Sequence, residues 1–146
     1  MVRRLGEVRD AQLGDVPAIR PHLLQMGYTD EELGDVEGRL PQVVSSPANR
    51  LLVAVDGADV VGLAGLVVRQ SIQQPGRSCL LSVIVTREDR RRQGIGATLM
   101  AASETAARDA GCCRIELTTL HDNHGAHALF RQAGSVETGL RFKKTF

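Results

Sequence analysis

Charge excess is the first thing missing from this 146-residue chain: 18 Lys and Arg stand against 17 Asp and Glu, a formal net charge of +1 at pH 7. A protein that coats nucleic acid draws its affinity from many unbalanced cations, so this balance argues against that class. Three cysteines, Cys79, Cys112 and Cys113, are too few and too oddly placed for a disulfide framework, and the adjacent pair reads as two small buried hydrophobes. No apolar run approaches the ~20 residues of a membrane span. Met1-Val2-Arg3-Arg4 leads into a strand-like stretch without the apolar core of a secretion signal. Together these absences predict a cytoplasmic protein with no membrane and no nucleic acid as partner. Aromatics are also scarce, at 3%, but 42% of the residues are hydrophobic. A chain of this length buries roughly 70% of the surface its unfolded form exposes, so a single domain over 1–146 has a sufficient core without staples.

What is present divides into two parts. Arg3 to Val8 predicts a short edge strand, and Asp15-Val16-Pro17 a helix start with proline in the first turn, the helix running to about Met26 and bent by Pro21. Thr29-Asp30-Glu31-Glu32 is a cap followed by early carboxylates, opening a second helix that ends before Pro47, with Pro41 a point where it can be cut short. From Leu51 the pattern turns to apolar runs, Leu51–Val55, Val60–Val68 and Leu80–Val85, separated by Asp56-Gly57 and by Gln73-Gln74-Pro75-Gly76: an antiparallel meander. Ile95–Ala110 is alanine-rich with one apolar face and Gly111 as its stop. Arg114–Leu120 reads as a strand, Asn123–Ala133 as a helix and Val136–Phe146 as a last strand. The order βααβββαβαβ predicts an α/β protein with a mixed, mostly antiparallel sheet and helices on both faces.

The chemistry concentrates where the third meander strand meets the alanine-rich helix, at Arg87-Glu88-Asp89-Arg90-Arg91-Arg92-Gln93-Gly94-Ile95-Gly96. The first turn of a helix has unpaired N–H groups and about half a positive charge, so it binds phosphate when side chains leave the approach open. Gly94 and Gly96 leave it open, and four arginines within Arg87–Arg92 add mobile positive charge suited to a polyphosphate ligand. The bland alternative is a solvated basic turn with a glycine cap. There is no G-x-x-x-x-G-K-[ST], and Gly94-x-Gly96 lacks the third glycine of the dinucleotide fingerprint, so neither ATP nor NAD is favoured.

Arg91-Arg92-Gln93-Gly94-Ile95-Gly96 resembles the R/Q-x-x-G-x-G/A acetyl-CoA loop of the GNAT superfamily of acyl-CoA N-acyltransferases. Asn123-x-x-Ala126-x-x-Leu129-Phe130-x-x-x-Gly134 is similar to that family's second motif, and the element order agrees along essentially the whole chain. The resemblance implies a sheet splayed between strands 4 and 5, with the main chain of Ile84, Val85 and Thr86 pairing with the pantetheine arm of acetyl-CoA like an added strand. It implies a pyrophosphate held by Arg91 and by the N–H groups of Arg92, Gln93, Gly94, Ile95, Gly96 and Ala97, with Asn123 and Phe130 flanking the thiol end. It implies acetyl transfer to an amine by direct attack, aided by a main-chain N–H near Val85. Within the superfamily, Ile115–Thr119, Asn123–His127 and Arg141–Lys144 are most similar to small-amine acetyltransferases, such as those acting on aminoalkylphosphonates or aminoglycosides. Dimers are frequent in the family.

Two departures matter. The family's usual tyrosine, the proton donor to the leaving thiolate, is Phe130 here. A thiol of ordinary pKa ~8.5 departs tolerably without it. Leu80–Thr86 carries no carboxylate, only Ser82 as a polar side chain, yet a primary amine of pKa ~10 is only about one part in a thousand neutral at pH 7. His127 is the leading substitute base, because helical spacing puts it within an arc of about 100° with Asn123, Ala126 and Phe130. A partly exposed or core histidine is the plainer reading. His121, His124 and His127 drift by about 60° per step and make a poor metal set. Tyr28 and Ser82 are candidate acceptor contacts, and the acidic run Asp30, Glu31, Glu32, Asp35 and Glu37 could attract a cationic amine or simply be a solvated face. Arg141, Lys143 and Lys144 could instead steer an anionic group. Two rival functions remain open: an acyl-CoA-binding sensor with weakened catalysis, which the two departures favour, and an acetyltransferase acting on protein N-termini or lysines.

Overall fold

The computed structural model describes residues 6–146. Its sheet has five strands in the spatial order β1-β2-β3-β4-β5: β1 (Glu7–Asp10), β2 (Asn49–Asp56), β3 (Asp59–Gln70), β4 (Arg77–Thr86) and β5 (Cys112–Leu117). The first four are antiparallel neighbours, and β5 joins β4 in parallel. A parallel neighbour needs a crossover, and α4 (Ile95–Asp109) supplies it. The expected meander is therefore present, longer at both ends than its apolar runs, because polar residues such as Arg69 and Gln70 continue the ladder opposite Ser78 and Arg77.

Helices cover both faces. On one, α4 and α5 (His124–Gln132) close a cluster that includes Leu52, Val61, Leu66, Leu99, Met100 and Phe130. On the other, α1 (Val16–Gln25), α2 (Asp30–Leu33) and α3 (Val36–Ser45) cover Leu51, Val53, Leu63 and Val85 with Ile19, Leu33 and Leu40. Strand alternation sorts the two sets, since successive residues of β2 and β3 point to opposite faces. Gly62 lets α4 sit directly on β3: a Cβ there would lie 2.8 Å from Leu99 Cδ1 and 3.3 Å from the Val85 carbonyl oxygen.

Several expectations change. The single helix after Thr29 is two, because Gly34 takes φ 52 and breaks it, whereas Pro41 lies inside α3 without ending it. Thr29 caps as expected, in a reciprocal pair with Glu32. Val136–Phe146 forms no strand: Val136, Leu140 and Phe142 stay exposed, since the open edge of β5 makes no ladder with them. Cys112 is buried beside the core but Cys113 is exposed, as neighbouring strand residues must be. The Arg3–Val8 strand is shifted to Glu7–Asp10, with Arg3–Leu5 outside the described residues.

The acidic run is largely engaged in structure. Arg20 of α1 bonds Asp30 (2.8 Å) and Glu37 (2.8 Å from Nη2) and also the Gly34 carbonyl, tying three helices together. Glu32 completes the Thr29 cap, and Asp35 accepts from Gly38 N–H at 3.1 Å. The Arg20 hydrogen bonds hold the Glu37 carboxyl at about 2, below its ordinary 4.5. A depressed carboxyl stabilises the fold above its unfolded pKa and loses that contribution as pH falls toward the folded value. Urea midpoints measured from pH 5 to pH 2 should therefore fall less steeply for Glu37→Gln than for wild type. Gly62→Val should lower unfolding stability by about 1–3 kcal/mol through overpacking against Leu99.

Candidate active site

The site begins with a defect in β4. Leu81 pairs with Leu66 and Val83 with Gly65, which leaves Ser82 as the extra residue of a bulge. A bulge bends its strand, and this one falls where β4 leaves β5: the parallel ladder runs from Arg77 opposite Cys112 to Leu81 opposite Leu117 and ends there. Ser82 Oγ donates to the Gly65 carbonyl at 3.2 Å, which fastens the bulge to β3. Gly65 suits the close approach, because a Cβ there would meet Ser82 Oγ at 3.3 Å and Val83 Cβ at 3.4 Å. The polar Ser82, expected as an acceptor contact, thus has its hydroxyl committed to the bend.

Beyond the bulge one side of β4 has no strand beside it. Arg87 N–H donates to the Val61 carbonyl at 2.8 Å. Bonded residues of an antiparallel pair recur at every second position, so Val85 and Val83 also turn their N–H and C=O to β3, while Ile84 and Thr86 turn theirs to the open side. The expected run Ile84, Val85, Thr86 therefore divides, with Val85 N–H engaged in the sheet and its side chain in the core. One end of the open edge is closed by Gln25, whose Nε2 donates to the Thr86 carbonyl (2.7 Å) and whose Oε1 accepts from Glu88 N–H (2.9 Å). Nothing in the local sequence around Gln25 signals this contact.

The β4 edge runs into the basic loop. After the 3-10 turn Glu88–Arg90, Arg92 has φ 63, the single non-glycine in the left-handed region among the described residues, and Gly94 follows at φ 78 as the N-cap of α4. Arg91 before them is extended, and a left-handed residue in such a turn helps to point successive N–H groups to one side, the kind of concavity that suits an anion. A Cβ on Gly94 would meet nothing within 4 Å, so the approach to the helix start is open. Gly96 lies where the three motif segments converge: its missing Cβ would sit 3.7 Å from Thr86 Oγ1 on β4 and 3.4 Å from Leu129 Cδ2 on α5. Ile95 is buried under the loop as its anchor, and Ala97 is exposed in the first turn.

The four arginines are not equivalent. Arg87 is paired with Asp89 at 2.6 Å. Arg90 is buried, its Nη1 on Asp56 (2.8 Å) and its Nε on Gln93 Oε1 (2.9 Å), so it braces the loop from below against the β2–β3 turn. Arg91 and Arg92 alone remain exposed, and the mobile charge expected of four residues comes from these two. The difference arises because Asp56, distant in sequence, meets Arg90 through the hairpin.

The helix α5 contributes a cap, a core aromatic and an oriented histidine. Asn123 caps the helix, its Oδ1 accepting from Ala126 N–H at 3.2 Å. Phe130 is buried within the core cluster and has no ionisable proton to transfer. His127 Nε2 lies 2.9 Å from the Leu120 carbonyl; since a carbonyl only accepts, this nitrogen is the N–H donor, and Nδ1 is the position that can accept in the neutral ring. Its ring meets His124 edge-on, with centroids 5.6 Å apart. Tyr28 is exposed just after α1, and Arg141 donates to Thr118 Oγ1 at 3.1 Å. Arg90→Met, which strands Asp56 and frees Gln93, should cost about 2 kcal/mol in chemical unfolding, below the full cost of breaking a buried pair because Asp56 keeps some water. Adding Asp56→Leu should recover most of that loss.

A search of curated protein sequences finds no match. Among solved structures, one described as a transcriptional regulator from Bacillus halodurans C-125 superposes with a TM-score of 0.83 at 23% identity, over 96% of this chain and 99% of that one. A GNAT family acetyltransferase from Staphylococcus aureus gives 0.79 at 20% identity, over 96% and 98%. An aminoglycoside acetyltransferase from an uncultured soil metagenomic sample, in complex with sisomicin, gives 0.77 at 16% identity, over 96% and 95%. These likenesses concern the fold. The family model described as Acetyltransferase (GNAT) family matches residues 17–134, which takes in the splayed strand, the glycine loop and α5: the chain belongs to the GNAT acetyltransferase family.

Proposed function

We propose that this protein is an acetyl-CoA-dependent N-acetyltransferase acting on the primary amine of a small molecule. The observation that carries the reading is the half-open β4, whose exposed backbone groups lead directly into a loop of left-handed residues at a helix N-terminus. That arrangement fits both halves of acetyl-CoA: an amide-bearing arm added to a strand edge, and a pyrophosphate on N–H groups. Acetyl-CoA supplies the activated acyl group. The chain's residues hold it, with Ile84 and Thr86 along the arm and Arg91 and residues 92–97 around the phosphates. On the open edge the N–H groups of Ile84 and Thr86, in place of that of Val85, are the donors available to a carbonyl as it gains charge.

The amine reading draws support from the aminoglycoside acetyltransferase among the structural neighbours, whereas the absence of any carboxylate on Leu80–Thr86 means that a base must come from elsewhere. With no acid on that strand, His127 Nδ1 is the base we assign, its orientation fixed by the Nε2–H bond to Leu120. One observation favours binding without efficient turnover: Phe130 is buried and cannot return a proton to the thiolate. A sensor would bind acetyl-CoA and desulfo-CoA yet acetylate no amine.

Titration calorimetry should show micromolar binding of acetyl-CoA and desulfo-CoA and little of ATP; absence of CoA binding would remove the site. Gly94→Asp should abolish that binding, since it sets a carboxylate at the phosphate position and strains φ 78, while the melting temperature checks that the fold survives. In steady-state assays with sisomicin as a trial amine, His127→Gln, which keeps a donor for Leu120 but no base, should lower kcat about 10²-fold or more with the acetyl-CoA KM little changed. A His127→Gln enzyme with the wild-type pH–rate profile would exclude the base.

A further inference from the structure

Gln25 stands out among the half-buried polar side chains because it ends α1 yet spends both halves of its amide on β4 and the turn after it. Its Nε2 meets the Thr86 carbonyl, which can only accept, and its Oε1 meets Glu88 N–H, which can only donate. The two partners fix the amide's orientation without ambiguity. On the open side of β4 the backbone presents, in order, Ile84 N–H, Ile84 C=O, Thr86 N–H and Thr86 C=O, with Glu88 N–H beyond. Gln25 removes the last two from that series. It behaves as a single residue of a missing neighbour strand, set at the loop end of the gap.

We infer that Gln25 is a positioning residue that sets the register of the pantetheine arm on β4; the inference rests on the reading of that edge as the cofactor site. An added strand pairs with equivalent groups at every second residue, so an open edge does not by itself fix register. Were Thr86 C=O and Glu88 N–H free, an arm carrying amide donors and acceptors could slip by one repeat, two residues or about 6.8 Å. Such a slip carries the reactive end away from the acceptor side, and misplacement by even ~1 Å is costly in acyl transfer. With both groups capped, only the Ile84–Thr86 repeat is available. Because Gln25 leads into Met26-Gly27-Tyr28 and α2, the same contact joins the helices of the acceptor side to the cofactor edge.

The test monitors backbone amides by hydrogen exchange and NMR, with desulfo-CoA as probe. In wild type, desulfo-CoA should protect the amides of Ile84 and Thr86 and leave the Thr86 carbonyl shift unmoved. In Gln25→Met, similar in length but without hydrogen bonds, Glu88 N–H should exchange freely in the unliganded protein. Adding desulfo-CoA should then protect Glu88 and move the Thr86 carbonyl resonance. Protection confined to Ile84 and Thr86 in this variant, with Glu88 still exchanging, overturns the inference while leaving the cofactor site intact. Failure of wild type to bind desulfo-CoA overturns both. If Gln25→Met does not fold, Gln25→Glu keeps the acceptor for Glu88 N–H but loses the donor to Thr86. A ligand-dependent shift of the Thr86 carbonyl then supports the role of Gln25, and an unmoved shift refutes it.

Discussion

The whole site depends on one departure from regular sheet geometry, the bulge at Ser82. A regular β4 would continue its parallel ladder with β5 and satisfy every backbone group internally. The extra residue bends the strand at the point where the ladder stops, and the Ser82 hydroxyl on Gly65 holds the bend in place. The bend leaves a short stretch of strand with hydrogen-bonding groups facing open space, a feature proteins normally cover. Here it is left open on one side and limited at its end by Gln25.

The glycine loop gains its meaning from that strand. An open helix N-terminus is common, and two exposed arginines on a turn are commoner still. Their placement at the end of an unpaired strand edge makes a continuous track, backbone amides first and an anion-binding concavity second. The loop's shape is maintained from beneath by Asp56, Arg90 and Gln93, a chain of contacts that uses one arginine as structure so that its neighbours are free. Charge near the site is thus smaller than the composition of the loop suggests, and electrostatic attraction falls to Arg91, Arg92 and the helix terminus.

The opposite layer is organised around one arginine. Arg20 gathers Asp30, Glu37 and the Gly34 carbonyl, converting what could have been an acidic attractor into a clamp across α1, α2 and α3. Its end nearest the open β4 edge is Gln25, followed by the exposed Tyr28. The Gln25 amide thus adds a polar tie to the β4 edge beside the apolar packing that already joins this layer to the sheet.

The meander, the α4 crossover, the glycine-started helix and the family itself were legible from local pattern, because apolar periodicity, turn residues and motif spacing act over a few residues. The Asp56-Gly57 turn and the Thr29 cap were likewise local. Pairing decided the rest. Which backbone amides of 84–86 face outward is set by the register with β3, and register depends on a bulge that no residue type announces. Arg90 looked like its neighbours until the hairpin brought Asp56 beneath it. The acidic run read as either an attractor or a solvated face until Arg20 met it. The alternating apolar residues from Val136 to Phe146 had the period of a strand, but a strand exists only where a partner ladder accepts it, and β5 pairs on its β4 side alone. Local sequence thus set the elements and the glycine loop, whereas long-range hydrogen bonds and ion pairs decided which groups remain unpaired.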